Sequence, residues 1–266
     1  MENANHTVTQ WAPDLWQFDE AYQDAYLVVG QERAVLIDCM ASLQEPTLWE
    51  EIRSRTALPV DVLLTHAHFD HAGQELARLA EHEDVHIFLG LEDFPIYENE
   101  ILNGVPVSRL TPFSEGEIFD LGDVQLEAIR VEGHTPGSYV FLDRAGRRAL
   151  TGDALGIWIQ LPHSLSVETY RRALGRFADA LTEIPEPVFY TGHLNQCGGA
   201  LWKPDHVKEL LEICDMLLSG ELEGDEPPQM PPMEGLGGIN PFEGARVVRY
   251  KSVWNFAYRP DRLRDE

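Results

Sequence analysis

Short apolar runs separated by turn chemistry dominate the first half of the chain. Ala25 to Val29 (AYLVV) and Ala34 to Ile37 (AVLI) are β-prone and are joined through Gly30-Gln31-Glu32-Arg33, which predicts a hairpin. A helix is expected around Glu45 to Arg55. Val60 to Leu64 (VDVLL) reads as a buried strand that stops at Thr65-His66. Beyond His71, Leu76, Leu79 and Ala80 fall on one face at helical spacing, which predicts a helix from about Gly73 to Glu81. A second strand-rich stretch comprises Ile118 to Phe119, Val124 to Val131, Tyr139 to Leu142 and Arg148 to Thr151, with turns at Gly122-Asp123 and Ala145-Gly146. Ser166 suits the N-cap of a helix striped by Tyr170, Leu174, Phe177 and Leu181. The strand Pro187 to Tyr190 ends at Thr191-Gly192-His193, and an amphipathic helix runs from about Asp205 to Leu218.

From Ser219 to Pro241 the composition turns to Gly, Pro, Met and Glu, which marks an irregular linker. Ala245 to Tyr258 then returns to a β-prone, aromatic-rich pattern. The organisation expected is a catalytic unit over residues 1–220 and a tail over 221–266. The tail packs on the same domain, covers the site or meets a partner subunit, and a homodimer is one arrangement it allows.

The 266 residues are 44% hydrophobic and 24% charged, enough to bury a sizeable core in one layered α/β domain. No run approaches the roughly 20 apolar residues of a membrane helix, and Met1 to Gln10 lacks the pattern of a signal peptide. Cys39, Cys197 and Cys214 cannot all pair, so a reducing, cytoplasmic setting is expected, with Cys39 a small buried hydrophobe after AVLID. The formal charge of −25 repels phosphate backbones and anionic membrane faces. Neither nucleic acid nor a membrane is therefore expected as a partner; a small molecule is.

The chemistry is concentrated in Thr65-His66-Ala67-His68-Phe69-Asp70-His71, three histidines and an aspartate at a strand-to-helix junction. Imidazole with carboxylate suits zinc, iron or manganese better than calcium or magnesium. His66 and His68 share a face if the chain there is extended. Gly133-His134-Thr135-Pro136-Gly137, Thr151-Gly152-Asp153 and Thr191-Gly192-His193 each put a further ligand-type residue just after an expected strand. A turn histidine or a capping aspartate explains any one of these alone, but not all of them in one chain. His6, His82, His86 and His206 are expected as solvated surface histidines.

The set His66-x-His68-x-Asp70-His71, then His134, Asp153 and His193, resembles the metallo-β-lactamase-fold superfamily over roughly residues 15 to 215, with all seven ligand positions present in order. The resemblance implies a four-layer αββα sandwich with the site at one edge of two sheets. It implies that His66, His68 and His134 hold one metal, that Asp70, His71 and His193 hold a second, and that Asp153 bridges them. Asp38, at the end of AVLID, falls where the family keeps a buried supporting aspartate. Two zinc ions are the implied cofactor, with iron or manganese as substitutes. A pair of ions about 3.5–4 Å apart shares a hydroxide, lowers its pKa toward about 7 and polarises a substrate carbonyl. Asp70 then takes or relays a proton.

Within the family, GHTPGS and Gly152-Asp153-Ala154-Leu155 resemble glyoxalase II, and HFDHAG resembles the quorum-quenching lactonases. Asp153 stands where some zinc β-lactamases carry cysteine. Gly156 stands where the lactonases carry tyrosine. A hydrolase of thioesters, esters or lactones is the activity implied. The alternative is a mononuclear iron oxygenase of the persulfide dioxygenase type, held by His66, His134 and Asp153. A non-catalytic binding protein would have lost ligands, and none is lost. Phe69 in the ligand loop, and Trp158 and His163 after the bridging aspartate, are candidate substrate contacts. Trp254 and Phe256 are candidates to close the cleft.

Overall fold

Seven strands lie side by side in chain order: β1 (Thr7–Ala12), β2 (Leu15–Asp19), β3 (Asp24–Val29), β4 (Ala34–Ile37), β5 (Val60–Leu64), β6 (Val85–Gly90) and β7 (Leu110–Phe113). This computed structural model describes residues 6–20, 23–40, 47–98, 105–155, 164–195, 198–227 and 242–265. Strands β1 to β4 form an antiparallel meander, and β4 to β7 run parallel. The parallel strands are linked through α1 (Leu48–Arg53), α2 (Gln74–Leu79) and α3 (Phe94–Tyr97). Helices cover the outer face of the parallel part, so the run VDVLL in β5 is buried along its whole length.

The second sheet has the order β12-β11-β10-β9-β8, built from β8 (Ile118–Asp120), β9 (Gln125–Arg130), β10 (Tyr139–Asp143), β11 (Arg148–Gly152) and β12 (Val188–Thr191). It is antiparallel except for β12, which joins β11 in parallel after the crossover helix α4 (Val167–Ala180). Helix α5 (Pro204–Ser219) lies beside α4, followed by a separate hairpin of β13 (Arg246–Tyr250) and β14 (Val253–Tyr258). Local chemistry explains the ends. Thr47 and Glu50 form a capping box on α1, Ser166 caps α4 by accepting from the Thr169 amide, and Pro204 opens α5. Gly220 closes α5 in the left-handed region.

Three apolar clusters define four layers. Leu48, Ile52, Leu76 and Leu79 of α1 and α2 pack on Leu27, Leu36, Val62 and Leu64 of the first sheet. Tyr26, Val28, Val35, Ile37 and Leu63 meet Leu126, Tyr139, Phe141 and Leu150 between the sheets. Tyr170, Leu174 and Phe177 of α4 and Leu210 and Ile213 of α5 cover the far face of the second sheet. Each fully buried large side chain contributes about 1.5–3 kcal/mol relative to exposure. The result is the αββα sandwich expected.

Strands β1, β2, β6 and β7 were not foreseen from the sequence pattern. In β6 (VHIFLG) the outward His86 interrupts the apolar run, and β1 (TVTQWA) is an edge strand that is mostly exposed. The helix expected over 73–81 is trimmed to Gln74–Leu79, and the one expected over 45–55 to Leu48–Arg53. Among the four histidines expected at the surface, only His86 is well exposed. His206 is 4% exposed and stacks on Trp202 with ring centroids 3.9 Å apart. His82 is half-buried in a stack on Trp49, and His6 meets Glu51 at 3.1 Å. Lone histidines here serve as flat packing surfaces, which residue type alone does not reveal.

Candidate metal centre

Every ligand-type residue sits where a strand runs out at the same end of the sandwich. Asp38 follows β4, Thr65 to His71 follow β5, and Asp93 lies just beyond β6. In the second sheet His134 follows β9, Asp153 follows β11 and His193 follows β12. The sheets are tied together at this end by the Tyr139 amide donating to the Thr65 carbonyl at 2.8 Å and by the Asp24 amide donating to Gly192 at 2.8 Å.

All seven predicted side chains converge. The donor atoms of His66, His68 and His134 lie within 4.8 Å of one another, as do those of His66, His71 and Asp153, and of Asp70, His71 and His193. Asp153 stands between these groups: Oδ2 is 3.2 Å from His193 Nε2 and 3.5 Å from His134 Nε2, while Oδ1 is 3.5 Å from His71 Nε2. Asp70 Oδ2 is 3.5 Å from His193 Nε2 and 3.7 Å from His71 Nε2.

The donor set fits a metal. His66 is 1% exposed, its Nδ1 faces Thr65 Oγ1 at 3.1 Å, and its Nε2 has no hydrogen-bond partner among the described residues. A buried polar atom of that kind is rare without an ion or water to meet it. His68 Nδ1 and His134 Nε2 approach to 2.9 Å beside it, close to the spacing of about 3.3 Å for two nitrogens on one tetrahedral zinc.

The electrostatics are those of a site built to hold cations. Burial, reinforced by His71, His68 and His134 nearby, pushes His66 well below the usual imidazole range. Burial also opposes charge on His71 and His193, but Asp153 and Asp70 outweigh it, raising His71 strongly and His193 to about 9. Burial would raise Asp153, yet His193 and His71 hold it well below the ordinary carboxylate range. Without metal, protons on the histidines therefore balance the carboxylates.

Three carboxylates hold this arrangement from behind. Asp38 adopts φ of 60° and accepts from the Thr65 amide at 2.7 Å and Thr65 Oγ1 at 2.8 Å, with His71 Nδ1 at 2.9 Å. This contact aims His71 Nε2 at the centre. Asp38→Ala is expected to weaken metal binding by about 10–100-fold, read by competition with a chelator, because the ring loses its orienting partner. It also leaves the buried Thr65 amide unpaired, at a cost of about 1–3 kcal/mol in denaturant unfolding.

Asp93 and Asp24 escaped the sequence reading. Asp93 is fully buried and accepts from the amides of Ala67 (3.0 Å) and Gly137 (2.6 Å) and from Thr135 Oγ1 (2.7 Å), so it pins the His66–His68 loop to the His134 loop. Burial raises its pKa to about 6 despite those donors. Asp24 accepts from the Leu194 amide at 2.6 Å and from Gln17 Nε2, fixing the backbone beside His193. Burial lifts it, too, to about 6. Asp93 was detectable in principle, since an acid just beyond an apolar run repeats the placement of Asp38 and Asp153. Two glycines are needed for the close approach. A Cβ on Gly152, which has φ of 47°, would lie 2.2 Å from Thr65 Oγ1, and one on Gly192 would lie 2.5 Å from His71 Cε1.

The remaining candidates separate. Phe69 is half-buried in the ligand loop. Trp158 and His163 lie outside the described residues, as does the side chain of Trp254. Phe256 does not border the cleft: it is fully buried against Tyr170 at 6.1 Å, beneath α4. Its place in an alternating strand points it inward. Cys39 is buried, as its context implied, with Sγ 3.2 Å from the His71 carbonyl.

The family model of the metallo-beta-lactamase superfamily matches residues 19–193, a segment that contains all seven convergent residues. The chain belongs to that superfamily. It is accordingly a metal-dependent hydrolase. Among curated proteins it is similar to the hydroxyacylglutathione hydrolase GloC of Haemophilus influenzae, 33% identical over 104 residues, covering 35% of this chain and 49% of that one. It is also similar to the acyl-coenzyme A thioesterase MBLAC2 of Gallus gallus, 26% identical over 204 residues, covering 65% and 73%. The chain thus spans about half the length of the first relative and about three quarters of the second. Among solved structures, the metallo-beta-lactamase from Pontibacter korlensis superposes with a TM-score of 0.64 at 19% identity, covering 79% of this chain and 98% of that one, which shows the shared fold. No helix among the described residues is long and apolar enough to cross a membrane.

Proposed function

We propose that this chain is a dinuclear metal-dependent thioesterase, with His66, His68 and His134 on one ion, Asp70, His71 and His193 on the other, and Asp153 between them. The observation that carries the reading is the position of Asp153, whose carboxylate oxygens lie 3.2–3.5 Å from nitrogens of both histidine groups. Zinc is the metal this nitrogen-and-carboxylate set suits best. The second triad favours two ions over the single iron of an oxygenase, which would leave Asp70, His71 and His193 without a role.

When bound, the metal pair supplies a hydroxide nucleophile at neutral pH and polarises the substrate carbonyl. The chain's own residues do the rest. Asp38 and Asp93 keep the ligand loops in register, so little reorganisation is needed during the reaction. Asp70 is the proton carrier. Its side chain is 28% exposed against 13% for His193 and 10% for Asp153, so of these three it has the most open path to solvent. It takes the proton released as the acyl carbon is attacked, and the departing thiolate receives a proton in turn. Phe69, half-buried in the ligand loop, lines the acyl group's approach in this reading.

Support for a thioester over an ester or lactone comes from two relatives whose names describe thioester cleavage. The test is hydrolysis by zinc-loaded protein of an acyl-coenzyme A, an acyl-glutathione, an oxygen ester and a homoserine lactone. The thioesters are expected to lead in kcat/KM by at least tenfold. A lead for the lactone would replace the substrate class, and oxygen consumption without hydrolysis would replace the reaction.

A further inference from the structure

The family match ends at His193, yet the chain beyond it touches the metal-binding loops from behind. Arg262 donates from Nη1 to the Ser164 carbonyl at 3.1 Å. Ser164 Oγ donates to the carbonyl of His134 at 3.1 Å, and the Leu165 amide donates to the carbonyl of Gly133 at 2.8 Å. Ser164 is 5% exposed, so this link runs through the interior. The segment carrying Arg262 is itself fastened to α4. The Glu168 amide donates to Leu263 at 2.9 Å, and Asp265 accepts from Thr169 Oγ1 at 2.7 Å and from Arg172 at 2.6 Å.

The same layer reaches the stretch that follows Asp153. Tyr170 of α4 donates its hydroxyl to the Ala154 carbonyl at 2.9 Å. His206 of α5 places Nε2 3.3 Å from the Leu155 carbonyl and Nδ1 3.2 Å from Ser252 Oγ in the turn between β13 and β14. The residues next to two of the proposed ligands are therefore held by Ser164 and Tyr170 within the matched segment and, beyond it, by His206 directly and Arg262 through Ser164. Backbone carbonyls buried here need donors, and α4, α5 and the tail provide them.

We propose that Arg262 is a positioning residue for the metal centre: through Ser164 it holds the backbone of His134 where its ring meets the His66–His68 group. The proposal rests on the reading of His134 as a metal ligand. Outer partners of ligands typically set metal affinity by 10–100-fold, and a link of two hydrogen bonds belongs at the lower end. Tyr170 and His206 anchor the Asp153 side in the same way, but Arg262 gives the cleaner test because it sits at the end of the chain and is only half-buried.

The experiment measures zinc affinity of the full-length protein by competition with a chromophoric chelator, alongside thermal unfolding of the metal-free form. Arg262→Ala and Ser164→Ala are each expected to weaken zinc binding by about tenfold, and the double variant by no more than the worse single one. Arg262→Lys, which can still donate to the Ser164 carbonyl, is expected to recover most of the loss. Arg171→Ala, which breaks a surface pair with Asp215, is expected to leave affinity unchanged. Wild-type affinity in Arg262→Ala with a lowered Tm of the metal-free protein would make the contact merely structural and overturn the proposal. Losses that multiply in the double variant would overturn the route through Ser164. The readout needs no substrate, so an affinity loss counts for the proposal even where no thioester is cleaved. Wild-type protein that binds no zinc would overturn both this proposal and the reading of the site.

Discussion

Asp153→Ala is expected to lower kcat/KM toward the best thioester by at least about 10³-fold, with a loss of bound metal measured on the same sample. Removing one fixed electrostatic contributor from an active site typically costs about 10²–10³-fold. Asp153 is more than one contributor, because its two oxygens face His71, His134 and His193 at once. Its removal takes away the group shared by both histidine clusters and leaves their nitrogens to repel one another. Asp153→Asn keeps the shape but not the charge and is expected to fall nearly as far, since the carboxylate's negative charge is what balances the cations. Activity within tenfold of wild type in both variants would show that Asp153 lies beside the reaction and not within it.

Chelation of the bound metal is expected to lower Tm by roughly 10 °C. Metal present at about 1,000 times its Kd stabilises the folded chain by about 4 kcal/mol, and each kcal/mol moves a domain of this size by about 2–4 °C. The pH dependence gives this prediction a second handle. In the metal-free protein His193 has its pKa raised to about 9 by Asp153 and Asp70 against the opposition of burial, and His71 is raised as well. A raised histidine contributes stability that is fully present below its unfolded value of about 6.5 and is lost as pH climbs through the folded value. Metal-free protein is therefore expected to lose stability between about pH 6.5 and 9. Metal binding runs the other way, because the ligands must shed those protons. The gap in Tm between loaded and stripped protein should widen as pH rises, which differential scanning calorimetry at pH 6.5, 7.5 and 8.5 would show. A gap independent of pH would mean that these histidines do not exchange protons for metal.

The site was more legible in the sequence than the fold that carries it. Thr65 to His71 packs four ligand-type residues into a single turn, and His134, Asp153 and His193 each sit beside a glycine at a strand end, so residue type and spacing both point to them. Gly152 and Gly192 are there because a side chain would strike Thr65 or His71, a constraint that the sequence displays as Gly next to the ligand. What supports the proposed ligands was harder to find. Asp93 lies three residues after β6, whose apolar run is interrupted by the outward His86, so the strand that would have drawn attention to it was not recognised. Asp24 opens a strand that was expected to start one residue later. His206 was misplaced at the surface because one polar residue at the head of an amphipathic helix looks solvated until Trp202 and the β13–β14 turn are seen to cover it. The contacts made by the tail join residues far apart in the chain, such as Arg262 with Ser164, 98 positions away, and local pattern carries no trace of them.

The most direct test of the account is metal stoichiometry by elemental analysis of the protein as purified and after equilibration with zinc, set against the His66→Ala and His193→Ala variants. Two zinc ions per wild-type chain are expected, with each variant losing one because each histidine belongs to a different cluster. One ion per chain, lost in His66→Ala and retained in His193→Ala, would contradict the two-ion centre and return the site to a single metal. No metal taken up at all would contradict the central claim itself.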